Sequence, residues 1–410
     1  MNKETLFTEL KERYTAPLAP GELYDVLAPK IDQVITQEEL QKALKKDKLV
    51  VKFGIDPTGP DIHLGHLLPI MILRLFQRAG HAIHFVIGDF TARIGDPSGR
   101  TSERTLLSEK EIEKNKKTYL SQIRPFINVR KTKIHHNKKW LKKHSFESIL
   151  SDLQHISISE VLQRDDFRKR IETGHPLSIA ELLYAYAQGV DSLEIKPDIE
   201  IGGRDQLLNF AQARDLMKLH GLTPEVALTT PVLEGIHGDG AKMSKSLENY
   251  ISLHASPQDI FGKILSIPDT LILSYLISFA DIRTSEIEEI QELIQQDPLE
   301  MKKILGMFLV YITTGSEQTA HKERESFEKT FSQQDFSDVT VYQVEKGTTV
   351  IEFIASRKDL AFSKSEIKRL ALEGGIRMIE PDEQSLEPFD ELPQGTMRLG
   401  KKHFFTIQYK

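Results

Sequence analysis

The stretch Leu49-Val50-Val51-Lys52-Phe53-Gly54-Ile55, followed by Asp56-Pro57-Thr58-Gly59-Pro60 and then His63-Leu64-Gly65-His66, decides how this chain folds. An apolar run of strand length ends in a cluster of turn formers, so a buried strand stops there. Apolar spacing from about His63 to Ala79, closed by Gly80, predicts a long helix. His84-Phe85-Val86-Ile87-Gly88-Asp89 reads as a second buried strand, and it too runs into a glycine-rich loop, Ile94-Gly95-Asp96-Pro97-Ser98-Gly99. Strand, helix, strand, loop is the opening of a parallel sheet with crossover helices. Such sheets bind ligands beyond the carboxyl ends of their strands, where both loops fall.

Toward the N-terminus, Leu6, Leu10 and Tyr14 mark an amphipathic helix, and a polar linker follows, with a second helix starting near Gln37. Toward the C-terminus, residues 110–143 carry twelve Lys/Arg against Glu111 and Glu113, a local +10. Alone, such a run is more often a solvated helical face, but here it is a candidate phosphate-backbone surface. Helical patterning resumes over 158–190, with Ser178 as the cap of Ile179 to Gln188. Ile199-Glu200-Ile201-Gly202-Gly203 is another strand-to-glycine junction, residues 256–331 read as helical, and Ser332 to Asp338 read as a linker. The expected organisation is a helical segment at 1–48 and an α/β domain at 49–235 with a basic insertion at about 110–190. A loop and helical domain at 236–331, a linker at 332–340 and a small domain at 341–410 complete it.

A chain of 410 residues exceeds one core of usual size. Lys+Arg 54 against Asp+Glu 60 gives −6, so any nucleic-acid contact must come from local patches. The absence of cysteine excludes disulfides, thiolate zinc sites and a Cys nucleophile. No apolar run approaches the ~20 residues of a spanning helix, and residues 1–29 show no signal-peptide core, so the expected location is cytoplasmic, with no membrane.

His63 and His66 stand three apart on the first turn of a helix, whose free N–H groups attract phosphate. Gly65 between them leaves room for a flat base. With neither Cys nor an intervening Glu, no metal site is expected there. Lys242 and Lys245, in a loop introduced by Gly238-Asp239-Gly240, can close on a leaving pyrophosphate and stabilise charge that develops in the transition state. Each motif alone is weak; the two in this order on an α/β framework reinforce each other.

His63-Leu64-Gly65-His66 with Lys242-Met243-Ser244-Lys245-Ser246 resembles the signature pair of class I aminoacyl-tRNA synthetases. Gly54 to Thr58, Gly95 to Gly99 with Arg100 and Arg104, Gln188 to Asp191 and Gly202 to Gln206 resemble the bacterial tyrosyl-tRNA synthetase family from about residue 30 onward. Arg164-Asp165-Asp166-Phe167 and the intact lysine loop resemble one bacterial branch. The resemblance implies a Rossmann-like parallel-sheet catalytic domain with a connective insertion, then a helical domain and a small α+β RNA-binding domain. It implies tyrosine activation with ATP and transfer to tRNA(Tyr) by a homodimer, with Mg2+ carried on ATP and no dedicated protein site for it.

By position, the resemblance gives Asp191 the phenol, and Tyr184, Gln188 and Asp96 the ammonium group; Gln206 lies near the carboxylate. Tyr184, Gln188 and Asp191 also share one helical face by spacing, as a core-facing stripe would. Gly203 and Asp205 would meet the ribose, with Asp56 and Gly65 also on ATP; Thr58, His63 and His66 the phosphates; Lys242, Lys245, Arg100 and Arg104 the pyrophosphate. Lys52, also expected among the tyrosine-binding residues, stands where many members carry a phenol-reading tyrosine, Arg204 where a small residue is usual, and Val190 where Tyr or His is common. Phe362 to Ile376 looks like a small ribosomal-type RNA-binding fold, with Lys364, Lys368 and Arg369 on one helix side. Lys138, Lys139, Lys142 and Lys143 of the basic island are expected to dock the tRNA acceptor arm. The alternatives are an adenylate-forming enzyme acting without tRNA and an RNA-binding paralogue that does not charge tRNA.

Overall fold

The apolar run after Leu49 forms a strand whose side chains at Val51 and Phe53 are buried. In this computed structural model it is β2 (Val50–Ile55), following β1 (Gln33–Ile35) and preceding β3 (Ala82–Ile87), β4 (Thr132–His136), β5 (Ile199–Gly203) and β6 (Val226–Thr230). The structure describes all residues except 1, 60–61, 99–106, 330–338, 358–359, 361, 381–382 and 401–402. Arg100, Arg104 and the Ser332–Asp338 stretch therefore lie outside the described residues. The chain divides into two compact units, Met1–Ala320 and His321–Lys410.

In the first unit the sheet order is β1-β6-β5-β2-β3-β4. β2 to β6 run parallel, and β1 pairs antiparallel with β6 at one edge. Strand order reverses between β2 and β5, which makes the crevice above them the switch point where ligands bind. The helix Leu64–Arg78 crosses from β2 to β3 with Leu67, Leu68, Ile70, Leu73 and Phe76 buried. It stops at Gly80, whose φ of 90° is a conformation that glycine takes without a side-chain clash. Helices between Pro257 and Thr314 complete the unit.

Two strands escape a pattern-based reading. β4 lies inside the basic island; Thr-Lys-Ile-His-His has only one strongly apolar residue because it is an edge strand. β1 is three residues long and lies in the stretch read as a polar linker. That stretch is packed instead, with Leu23, Val26, Leu27 and the Lys30 side chain buried. Ser178 does cap as expected, in a box with Glu181, but the helix breaks after Leu182 and restarts as Tyr184–Ile195.

The second unit contains β7 (Thr340–Val344), β8 (Ile376–Glu380), β9 (Gln384–Ser385), β10 (Gly395–Leu399) and β11 (His403–Tyr409) in the order β7-β11-β10-β8-β9. Helices Val350–Ser356 and Lys364–Leu372 bury Phe353, Ile354 and Ile367 against Leu399 and Phe405. Ser363 caps the second helix in a box with Glu366.

Candidate active site

The carboxyl ends of β2, β3, β5 and β6 open onto one cavity of about 500 Å3. From β2 come Asp56 and Thr58, from β3 Gly88, from β5 Gly203, Asp205 and Gln206, and from the lysine loop Lys242 and Met243. Close approach explains Gly88: a Cβ there would stand 2.0 Å from Asp56 Oδ1. Asp56 accepts from Thr91 Oγ1 at 2.7 Å and from the Tyr184 hydroxyl at 3.0 Å. Burial first, then the charges of Asp56 and Asp96, push the Tyr184 phenol well above its usual range, so it acts as a neutral donor.

Tyr184, Gln188 and Asp191 all line the cavity from the helix Tyr184–Ile195. Asp191 is 5% exposed. Its Oδ1 accepts from Trp140 Nε1 at 2.8 Å and its Oδ2 from Asn137 Nδ2 at 3.3 Å. Burial raises its pKa from 3.8 to about 7, with Lys52 and these two donors offsetting part of the rise. Each carboxylate oxygen retains a second lone pair, so Asp191 is a buried acceptor on the cavity lining. Trp140 and Asn137 are residues that sequence reasoning missed. Trp140 is the chain's single tryptophan, yet nothing local ties it to a residue fifty positions on.

Lys52, expected to contact substrate, is absent from the cavity lining. Its ammonium sits 3.0 Å from Glu200 Oε1, its cross-strand neighbour on β5, and both side chains are 1% exposed. It also donates to Ser192 Oγ, which in turn donates to Glu225 Oε1 at 2.9 Å. Burial opposes the Lys52 charge, but Glu200, Glu225 and Asp191 outweigh it and hold its pKa up. Burial, then the charge of Glu200, raises Glu225 well above the carboxylate range. Lys52 is thus the counter-ion beneath the pocket, and Glu200, which does line the cavity, accepts from Gln188 Nε2 at 3.2 Å.

At the mouth, His63 caps the helix Leu64–Arg78 by accepting Gly65 N–H on Nδ1 at 3.1 Å, and His66 Nδ1 faces the His63 N–H at 3.4 Å. Burial, then the neighbouring His66 and Lys245, lowers His63 to about 3; burial and Lys245 lower His66 to about 4. Both imidazoles are neutral at pH 7, and with Nδ1 accepting, the proton of each resides on Nε2. The lysine loop is anchored to this motif. Leu64 N–H donates to Ile251 O at 3.0 Å, and the wholly buried Asn249 accepts Ser244 N–H at 2.7 Å and donates to Lys242 O at 3.1 Å. Lys242 is exposed at the rim; Lys245 Nζ lies 3.9 Å from where a Cβ on Gly59 would stand. Gly65 lines the cavity, as do His63, His66 and Asp96. Asp205 is raised by burial and by Asp96, and its carboxylate folds back to within 2.6 Å of a Cβ placed on Gly203. Among the described residues no group of three or more His, Asp or Glu is placed to hold a metal ion.

Residues 44–332 match the family model of class I tRNA synthetases for W and Y. The tyrosine–tRNA ligase of Thermotoga maritima is 36% identical over 95% of this chain and 98% of its own length. That of Aquifex aeolicus is also 36% identical, over 95% and 99%. The chain belongs to the tyrosine–tRNA ligase family of class I aminoacyl-tRNA synthetases. The fold agrees with two solved members. A C-terminally truncated mitochondrial tyrosyl-tRNA synthetase of Aspergillus nidulans superposes at TM-score 0.64 with 22% identity, over 80% of this chain and 99% of that one. The Archaeoglobus fulgidus tyrosyl-tRNA synthetase complexed with L-tyrosine superposes at 0.61 with 22% identity, over 75% and 100%.

Outside the cavity, the basic residues that the family resemblance singled out are distributed as follows. Lys138 is ion-paired with Glu109, and Lys116 with Asp89 and Glu113, so part of the island's charge is neutralised locally. Lys139, Lys142 and Lys143 are exposed. In the second unit, Lys364, Lys368 and Arg369 project from the helix Lys364–Leu372, with Lys368 Nζ 5.5 Å from the centre of the Phe389 ring.

Proposed function

We propose that this enzyme activates L-tyrosine with ATP and then transfers it to the 3′ end of tRNA(Tyr). The carrying observation is that Asp191, a buried acceptor suited to a phenolic O–H, shares one cavity with His63, His66 and Lys242. The tyrosine carboxylate attacks the α-phosphorus; the new C–O–P bond forms as the bridge to the β-phosphate breaks, and pyrophosphate leaves. No protein nucleophile is needed, so catalysis is positioning and charge stabilisation. Asp191 accepts the phenolic proton, while Tyr184, Gln188 and Asp96 receive the ammonium group and Gln206 the carboxylate side. Gly203 and Asp205 serve the ribose, and Asp56 and Gly65 complete the ATP side. Thr58 and the neutral Nε2–H groups of His63 and His66 serve the phosphates, with Lys242, Lys245, Arg100 and Arg104 on the departing pyrophosphate. Mg2+ arrives on the triphosphate, whose oxygens supply its ligands.

The tRNA is received by Lys138, Lys139, Lys142 and Lys143 and by Lys364, Lys368 and Arg369. Phe146 and Ile179 are 75% and 76% exposed in the connective segment, and uncovered apolar side chains of this size suit a homodimer. No single helix among the described residues is long and apolar enough to cross a membrane, and a cytoplasmic location accords with translation. The test is charging of total tRNA: acid-precipitable tyrosine is expected, and adenylate formation without charging would overturn the transfer step.

A further inference from the structure

The carboxamides of Gln188 and Gln206 both face the cavity, and a carboxamide can present either its oxygen or its NH2. Asn209, wholly buried on the helix Leu207–Leu219, decides which. Its Nδ2 carries two hydrogens, placed to donate to Gln206 Oε1 at 3.0 Å and to Gln188 Oε1 at 3.2 Å, with Ser98 Oγ a further contact at 3.3 Å. Both glutamines therefore turn their NH2 groups away from it, Gln206 toward Asp96 Oδ2 at 2.7 Å and Gln188 toward Glu200 Oε1 at 3.2 Å.

Asn209 has the same two-way ambiguity, and Arg164 removes it. Arg164 Nη1 donates to Asn209 Oδ1 at 2.7 Å. A guanidinium cannot accept, so the Asn209 oxygen must face Arg164 and its NH2 the glutamines. The other arm, Nη2, donates to Ser98 Oγ at 3.2 Å, and Ser98 N–H donates to Asp96 Oδ1 at 2.9 Å. Arg164 is 8% exposed, with its guanidinium 4.8 Å from the centre of the Phe167 ring. Two fixed arms on two acceptors are what the planar fork supplies and a lysine ammonium does not. We infer that Arg164 is a positioning residue for the amino-acid substrate: through Asn209 it sets the orientation of the Gln188 and Gln206 carboxamides, and through Ser98 it holds the Asp96 loop. This rests on the tyrosine-activating function proposed above. Arg164 immediately precedes the helix Asp165–Glu172, so it also ties the connective segment to the amino-acid pocket.

The test is ATP–pyrophosphate exchange by the full chain with Arg164→Met, Arg164→Lys and Asn209→Asp, alongside thermal melting. Arg164→Met should raise the KM for tyrosine by about 10- to 100-fold, the weight of charge-assisted hydrogen bonds lost, and leave the KM for ATP within about twofold. Arg164→Lys should recover only part of that loss. Asn209→Asp keeps an acceptor for Arg164 but cannot donate to the glutamines, so it should raise the tyrosine KM with little change in melting temperature. That variant also covers the case in which Arg164→Met does not fold. An unchanged tyrosine KM in Asn209→Asp and in folded Arg164→Met would overturn the inference, as would equal increases for tyrosine and ATP. Failure of the unmodified chain to show tyrosine-dependent exchange would instead overturn the proposed function itself.

Discussion

Consider the substitution Asp191→Asn. Burial moves this carboxyl from its ordinary value of 3.8 to about 7. Between those values the unfolded chain has released the proton and the folded chain still holds it, so stability falls as pH rises through the window. The slope is about 1.4 kcal/mol per pH unit, and the cost levels off above the folded pKa at about 4 kcal/mol. Asparagine carries no such cost. Its carboxamide oxygen can still take the Trp140 N–H, but its NH2 then faces the NH2 of Asn137, a mismatch of about 1–3 kcal/mol. The variant should therefore match or trail the parent at pH 5 and exceed it by about 1–3 kcal/mol at pH 8. Urea unfolding at pH 5, 6, 7 and 8 measures this. Its kcat/KM for tyrosine should fall by about 100-fold or more, with exchange on phenylalanine little changed. A stability difference that stays constant from pH 5 to 8 would refute the burial argument.

His63→Asn should keep the helix cap but lose the Nε2–H donor, lowering kcat in exchange by about 10²- to 10³-fold with a small change in melting temperature. Because burial holds the histidines at about 3 and 4, the kcat profile of the parent should carry no histidine limb between pH 5 and 8; an ionisation near 6.5 that vanishes in His63→Asn would contradict this. Gly88→Ala places a methyl 2.0 Å from Asp56 Oδ1 and 2.3 Å from Thr91 Oγ1, so both thermal stability and the KM for tyrosine should worsen together. Glutamate at Lys139, Lys142 and Lys143 should weaken tRNA charging while sparing pyrophosphate exchange; equal loss of both would mean a folding defect.

What the sequence disclosed was what local chemistry encodes. β2, β3 and β5 carry buried residues on both faces and have a glycine at or beside the carboxyl end (Gly54, Gly88 and Gly203), so they read as apolar runs with a hard stop. The helix Leu64–Arg78 is announced by its cap and its period. β4 and β1 were illegible because an edge strand need not be apolar and three residues carry no period. The pocket shows the same divide. Tyr184, Gln188 and Asp191 are linked by helical spacing, so their common face could be stated in advance. Trp140, Asn137, Asn209 and Arg164 are brought to that face by tertiary folding across tens of residues, which no spacing rule encodes. Lys52 was located correctly on β2 but not its direction: the pleat turns it to Glu200 below the floor.

The most direct test of tyrosine activation is ATP–pyrophosphate exchange by the purified full chain, run in parallel with tyrosine, phenylalanine and tryptophan. Exchange that depends on tyrosine, with phenylalanine and tryptophan at background, is the expected result. Exchange supported by phenylalanine or tryptophan but not by tyrosine would contradict the role given to Asp191 and to the cavity it closes.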